Sequence, residues 1–377
     1  MAGESPFDRR RLQSAMDEAG LDAVVAVSLE NVFYTTGAFI ITQRLLPERL
    51  AFNVIPRDGD PTVIVCKIEE SLVARESPIK DVRTYIEFAD NPADILADAL
   101  LEKGLGGRNI GIEKRYLSAE TFERLADRMP GSEFAACDRL FEKLRAIKTP
   151  AEIRILQEAA RATERAIMAA WAATRPGDTE KAVADRESVA LLSEGADRTV
   201  FCMLAAGSNT MIAHHSAGSK RLESGEIMRT DFAGSFGAYY ADVARTIAIG
   251  KPSQRQSDVY RTLWEVQRET IAKMRPGVMA GELFEYCRVK AHAAGLEFNL
   301  PHIGHGVGIG LHEYPMLEPR NDAVLQPGMV FYVEPMVLDR SIGAFHIEDL
   351  VAVTDGDPMI LTDVMNTERL VSIESLG

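Results

Sequence analysis

The sequence predicts a two-domain α/β (α+β) protein, with a small α/β domain over residues 1–147 and a larger domain over 148–377 built from two related α/β units. Three observations predict it. From Leu21 onward, strand-like apolar runs (LDAVVAVS, LAFNVIP, PTVIVC) alternate with helical stretches such as NPADILADALLEKG. At Thr149-Pro150-Ala151-Glu152 a complete helix-start signal follows: a threonine N-cap, proline at the first helical position and a glutamate placed to close a capping box. It opens a long helix through EIRILQEAARATERAIMAAWAAT, and the domain boundary is placed just ahead of it. The third observation is a weak repeat. Arg175-Pro176-Gly177 recurs as Arg275-Pro276-Gly277, each copy closing one helical run and leading into another that contains a glycine, Gly195 or Gly295.

Composition sets the class. The 377 residues are 46% hydrophobic and 26% charged, which excludes a disordered chain. A net charge of −14 speaks against nucleic acid as a partner, because phosphate contacts need a basic surface. Cys66, Cys137, Cys202 and Cys287 are scattered, with no C-x-x-C pair, as in a protein of a reducing compartment. MAGESPFDRRRLQ lacks the apolar core of a signal peptide. The longest uncharged run, 200–219, is broken by Gly, Ser, Asn and two His and does not span a bilayer. A cytoplasmic protein without membrane association is expected.

The repeat also carries acids. Gly225 precedes Asp231 by six residues through EIMRT, and Gly328 precedes Glu334 by six through MVFYV. Asp231 and Asp242 flank FAGSFGAYYA, whose glycines suggest a hairpin with a two- or four-residue loop and the two acids directly opposed. Glu334 and Glu348 flank PMVLDRSIGAFHI, a hairpin-like segment with an odd loop or a bulge. Opposed like charges in apolar strands such as VARTIAI and IEDLVAV are destabilising, and no lysine lies close in sequence to neutralise them. A single pair is read as readily as two acids capping turns. Two pairs at matched positions of a repeat favour bound metal ions.

Five of seven histidines fall in two segments, Ala213-His214-His215-Ser216 and PHIGHGVGIGLHE, residues 301–313. Glycines 304, 306, 308 and 310 alternate along the second, which costs a strand packing and lets a ligand or another backbone approach closely. A solitary histidine there is usually a hydrogen-bonded core residue. His305 and His312, seven apart beside four candidate carboxylates, point to a metal site. His292, within a predicted helix, reads as structural.

At RTDFAGSFGAYYADVART, HIGHGVGIGLHEYP, MVFYVEPMV and FHIEDLVAVT the sequence resembles the creatinase/prolidase/methionine aminopeptidase superfamily, the "pita-bread" metallohydrolases, and within it the Xaa-Pro peptidases. LDAVVAVSLENVFYTTGA and LRAIKTPAEI resemble the family's N-terminal domain and its domain junction, so nearly the whole chain is covered. The resemblance implies a dinuclear site. Asp231 would hold one metal, His305 and Glu334 the other, with Asp242 and Glu348 bridging. It implies two divalent ions, Mn²⁺ or Co²⁺ ahead of Zn²⁺ or Fe²⁺ for such an oxygen-rich set, and a hydroxide between them as nucleophile. Glu334 would shuttle the proton, while His214 and His312 would position substrate or stabilise the tetrahedral intermediate. His215 and His302 match no role in the family and read as structural, while Arg245 and Glu313 read as supporting contacts.

One departure concerns the substrate. Proline dipeptidases often carry an arginine just before I-E-D, where this sequence has His346, with Arg340 in the same loop as a stand-in cation. Arg340 and His346 are therefore the substrate-binding candidates. The segment FIITQRLLPER, 39–49, reads either as a loop closing over the site or as a surface connection. The expected activity is metal-dependent hydrolysis of an Xaa-Pro bond in a dipeptide or short peptide, by a homodimer. The alternatives are a creatinase-like hydrolase of a small non-peptide or cyclic amide and a non-catalytic binding protein on the same fold.

Overall fold

A computed structural model describes residues 7–46 and 48–375. The chain forms two compact units, Met1–Arg145 and Ala146–Gly377, a division two residues ahead of the boundary placed before Thr149. Pro47, inside the segment 39–49, lies outside the described residues.

In the first unit a six-stranded mixed sheet is built from β1 (Ala23–Ala26), β2 (Phe52–Pro56), β3 (Thr62–Cys66), β4 (Asp81–Tyr85), β5 (Asn109–Ile112) and β6 (Glu133–Ala136), in the order β4-β3-β2-β1-β5-β6. The apolar runs read from the sequence are its central strands. They are buried along their whole length, as expected of strands covered on both faces. The helix Pro92–Glu102 lays Leu96, Ala97 and Leu100 into the same core.

The second unit opens with the capped helix Pro150–Ala172, where Thr149 and Glu152 form the reciprocal capping box. Its strands are β7 (Arg198–Cys202), β8 (Ala205–Ala206), β9 (Ile227–Phe236), β10 (Tyr239–Ala248), β11 (Gly304–Gly306), β12 (Glu313–Met316), β13 (Val330–Val333), β14 (Met336–Asp339), β15 (Gly343–His346), β16 (Asp349–Ala352) and β17 (Met359–Ile360). The duplication is visible element by element. Gly177 and Gly277 share a φ of 92° in the turn that follows each first helix. Their amides bond equivalent carbonyls, Leu222 and Leu325. The helices that follow, Glu180–Ser193 and Ala280–Ala293, both run 14 residues. Each half then pairs a strand against a central one, β7 on β9 and β11 on β13, and returns antiparallel as β10 or β16.

The first hairpin differs in register from the expectation, and the second has the odd-length loop expected of it. Both Gly237 and Ala238 take positive φ, 55° and 73°, so β9 and β10 are joined by a two-residue turn of the type I′ kind. This turn pairs Asp242 with Ala233 and Asp231 with Ala244. The two aspartates are therefore diagonal neighbours on one face, two residues out of direct opposition. A diagonal offset separates Cα atoms by roughly 7–8 Å, where direct opposition gives roughly 5 Å, and the difference leaves room for an ion. In the second half the ladders on either side, Val333↔Asp349 and Met336↔His346, share one register that sets Glu334 opposite Glu348 around a three-residue loop, 340–342. Between those ladders the chains part. The Glu334 amide bonds Ile303 O at 2.8 Å, and the Glu348 amide bonds Ala244 O of the first half at 3.0 Å.

A buried charge network fixes that junction. Arg245, 1% exposed, donates through Nη1 to the carbonyls of Ala244 and Glu348 and through Nη2 to Glu164 at 2.7 Å and Asp349 at 3.0 Å. Asp349 also meets Arg268 at 3.0 Å and Thr362 at 2.6 Å. Two arginines balance two acids, so the network is neutral and each charge has a partner. Arg245→Leu strands Glu164 without a cation in the interior and is expected to destabilise the second unit by about 3–5 kcal/mol. Urea unfolding followed by tryptophan fluorescence measures this cleanly, because Trp171 and Trp264 both belong to that unit.

Candidate metal centre

The strand ends of the second unit bring the four predicted carboxylates together with His305. A donor atom from each of Asp231, Asp242 and Glu348 lies within 4.8 Å of the other two, and the same holds for His305, Glu334 and Glu348. Glu348 belongs to both triads. Asp242 also forms a triad with His305 and His312. Asp242, Glu348 and His305 are 3%, 1% and 1% exposed.

The electrostatics of this cluster are unfavourable as they stand. Two carboxylates about 4 Å apart repel by about 4 kcal/mol at an effective dielectric near 20, several times the net worth of a hydrogen bond. None of the four is ion-paired with a lysine or arginine among the described residues. Burial, reinforced by the Asp231 and Glu334 charges, holds the Asp242 carboxyl well above its usual range. Burial together with Asp242, Glu334 and Asp231 does the same to Glu348. Burial also raises Asp231, and pushes Glu334 up to about 7. His305 is driven the other way, down to about 3, by burial and by the neighbouring His312, and stays neutral with a ring nitrogen free to ligate.

Buried donor atoms without a hydrogen-bond partner concentrate here. They include Asp242 Oδ1, His305 Nε2, Glu334 Oε1 and both Glu348 carboxylate oxygens. Such atoms in a native interior demand a partner, and this donor set of carboxylate oxygens and an imidazole nitrogen fits divalent cations.

The remaining predicted residues are distributed around the cluster. His312 stacks on His305 with ring centroids 3.8 Å apart and is exposed at the rim. His214, also exposed, acts electrostatically on Glu334 and His312. Its loop is held by Arg229, 1% exposed, whose Nε and Nη2 bond the carbonyls of Thr210, Ile212 and Ala213 at 3.0, 2.6 and 2.8 Å. His215 is structural, its Nε2 2.9 Å from the buried Glu180 carboxylate. His292 contacts Phe298 O at 3.1 Å, away from the cluster. Arg340 sits exposed in the loop of the β14–β15 hairpin, and His346 is buried at that hairpin's base, 3.6 Å from Glu334.

One expectation changes, and one pair of open alternatives is decided. His302, read as structural, lies 3.5 Å from Glu334 Oε1 and edge-on to His312, so it belongs to the cluster. The alternating glycines serve packing against protein rather than a ligand. A Cβ at Gly304 would stand 2.0 Å from Tyr332 O, and one at Gly308 would stand 2.8 Å from Glu313 Oε2. That Glu313 carboxylate is itself buried and paired with Lys148 at 3.1 Å. Arg229 was missed by sequence reasoning, although an arginine inside the apolar run EIMRT was its signal.

A model of the Creatinase/Prolidase N-terminal domain matches residues 9–147, and that of Metallopeptidase family M24 matches residues 154–355. The chain belongs to metallopeptidase family M24. Similar proteins include an Xaa-Pro dipeptidase of Pyrococcus furiosus, 30% identical over 95% of this chain and 97% of its own. A putative dipeptidase of Bacillus subtilis is 31% identical over 94% of this chain and 96% of its own. Among solved structures, an Xaa-Pro dipeptidase from Bacillus anthracis superposes with a TM-score of 0.86 at 27% identity, covering 96% of this chain and 98% of that one. The M24 assignment matches a cluster of acids with no cationic side chain to neutralise it.

The raised carboxyls set a pH dependence with a definite sign. Asp242, Glu348 and Glu334 hold protons in the folded, metal-free protein that they lose on unfolding, so the native state binds more protons and its stability falls as pH rises. Between pH 7 and 9 the buried histidines are largely neutral in both states, and the thiols of Cys137, Cys202 and Cys287, raised by burial, add a fall of the same sign, so the carboxyl share is the part that a bound cation reverses. The melting temperature of chelator-treated protein is expected to fall across that range. Addition of Mn²⁺ is expected to release protons and to reverse the trend, as read by differential scanning fluorimetry and a pH-stat.

Proposed function

We propose that this M24 chain hydrolyses the Xaa-Pro bond of a dipeptide or short peptide, with two divalent metal ions held by Asp231, Asp242, His305, Glu334 and Glu348. The observation that carries the reading is the buried five-residue cluster, whose unpartnered donors ask for cations. The Xaa-Pro dipeptidases matched along nearly the whole chain supply the substrate class.

In the proposed assignment Glu348 and Asp242 would be shared by the two ions, Asp231 would help hold one of them, and His305 and Glu334 the other. Bound ions would supply an acidified water and polarise the scissile carbonyl. Glu334 moves the proton of the attacking water to the departing nitrogen, which avoids expelling an unprotonated amide. His214 and His312, both exposed at the rim, donate hydrogen bonds to the oxygen that gains charge during attack. Arg340, the single arginine of its hairpin, is the proposed partner for a substrate carboxylate. An oxygen-rich set with one imidazole favours Mn²⁺ or Co²⁺. Four free cysteines and the lack of any membrane-length apolar helix among the described residues support cytoplasmic residence.

Asp242→Asn and Glu348→Gln are each expected to abolish turnover and tight binding of the second ion, a loss larger than the roughly 10–100-fold typical of outer-shell changes. Bound-metal analysis paired with assays on Xaa-Pro dipeptides, longer X-Pro peptides and small cyclic amides checks this. Full activity in either variant refutes the dinuclear reading, and turnover of the cyclic amides alone refutes the peptidase reading.

A further inference from the structure

Beyond the five residues of the dinuclear reading, His346 is the buried side chain of the cluster whose chemistry is left unused. Its ring is 4% exposed, and neither Nδ1 nor Nε2 has a hydrogen-bond partner. Its backbone, by contrast, is locked. The Thr246 hydroxyl accepts from the His346 amide at 2.9 Å and donates to its carbonyl at 2.9 Å. Thr246 is buried on β10, four residues beyond Asp242, so the imidazole is held in fixed relation to a bridging carboxylate.

The two oxygens of Glu334 face different neighbours. Oε1 lies 3.5 Å from His305 Nε2, within the triad shared with Glu348. Oε2 lies 3.6 Å from His346 Nε2. That separation exceeds a hydrogen bond by a few tenths of an ångström, and a small rotation of the carboxylate closes it. Glu334 is thus the carboxylate within reach of the ring, and Asp231 is the charged group that otherwise acts most strongly on it.

We propose that His346 is a positioning residue whose Nε2–H donates to Glu334 Oε2, orienting Glu334 so that Oε1 alone addresses the ion held with His305 and Glu348. This inference rests on the dinuclear reading. A ligand carboxylate needs such an outer partner because an unrestrained one rotates between its two oxygens and binds less firmly. The Thr246 clamp supplies the rigidity, and the imidazole supplies the N–H donor.

The test titrates chelator-stripped protein with Mn²⁺ by calorimetry, comparing the natural chain with His346→Leu and His346→Gln. Glutamine places an amide N–H near the Nε2 position; leucine does not. For H346L, one of the two ions is expected to bind about 10–100-fold more weakly while the other is unchanged. kcat on an Xaa-Pro dipeptide should fall with KM altered less than about twofold, and H346Q should restore most of both losses. Circular dichroism and melting of the stripped proteins establish that the variants fold, and Thr246→Val, which removes the clamp without touching the ring, should weaken the same ion. Equal Mn²⁺ affinity in H346L and the natural chain overturns the inference while leaving the dinuclear reading intact. So does a rise in KM alone that vanishes for a dipeptide amide, because His346 would then serve the substrate carboxylate. A natural chain that binds no second ion overturns both.

Discussion

Mutual repulsion among four carboxylates, two buried and two half-buried, is the constraint on which the catalytic unit depends. Asp231, Asp242, Glu334 and Glu348 converge from two hairpins in a region that offers no lysine or arginine ion-pair partner among the described residues. Their charge cannot be accommodated by hydrogen bonding alone, since the repulsion at these separations exceeds what a few hydrogen bonds return. The arrangement raises the proton affinity of those acids, with burial and mutual repulsion holding Asp242 and Glu348 well above the ordinary carboxylate range. Cations of the right charge exchange for those protons, and a destabilised cluster becomes a cross-link between the two halves.

A cluster of this kind needs a frame that does not collapse when it is empty, and the frame is made of other buried polar groups that hydrogen-bond within the protein. Arg245 joins β10 to the Glu348 backbone and to the helix Pro150–Ala172 through Glu164. Arg229 closes the carbonyls of the loop that carries His214. Thr246 clamps both backbone polar groups of His346. Each of these residues stands within four positions of a candidate ligand on the same strand. The strands β9 and β10 thus carry two interleaved sets of polar groups, one balanced within the protein and one left for cations. The balanced set hydrogen-bonds to backbone, so its geometry persists whether or not the cations are present.

The diagonal offset of Asp231 and Asp242 shows how a turn two residues long decides chemistry several residues away. A shift of the turn by one residue changes the strand pairing by two, because the sum of paired residue numbers is set by the turn's centre. Gly237 and Ala238 both occupy the left-handed region, and that choice puts the aspartates side by side on one face with space between them. In the second half the ladders are interrupted at the two glutamates themselves. Their amides bond neighbouring segments instead of each other, and the Glu348 amide reaches across to the first half.

The sequence by itself determined the two-unit organisation, the element order and the identity of the clustered acids, because these follow from local signals: apolar periodicity, a capping box, a repeated Arg-Pro-Gly turn and charges stranded in apolar runs. It also carried enough motif in PHIGHGVGIGLHE and FHIEDLVAVT to expose the family resemblance. Tertiary structure alone decided how the acids face one another, since register depends on which two residues of a glycine-bearing segment turn. It alone showed that Gly304 and Gly308 make room for Tyr332 and Glu313, that His302 turns toward Glu334 while His215 turns to Glu180, and that His346 is sealed beneath the cluster while Arg340 stands in solvent. Most of those distinctions rest on contacts between segments tens of residues apart, and no local pattern encodes which of two neighbouring histidines a distant carboxylate will meet.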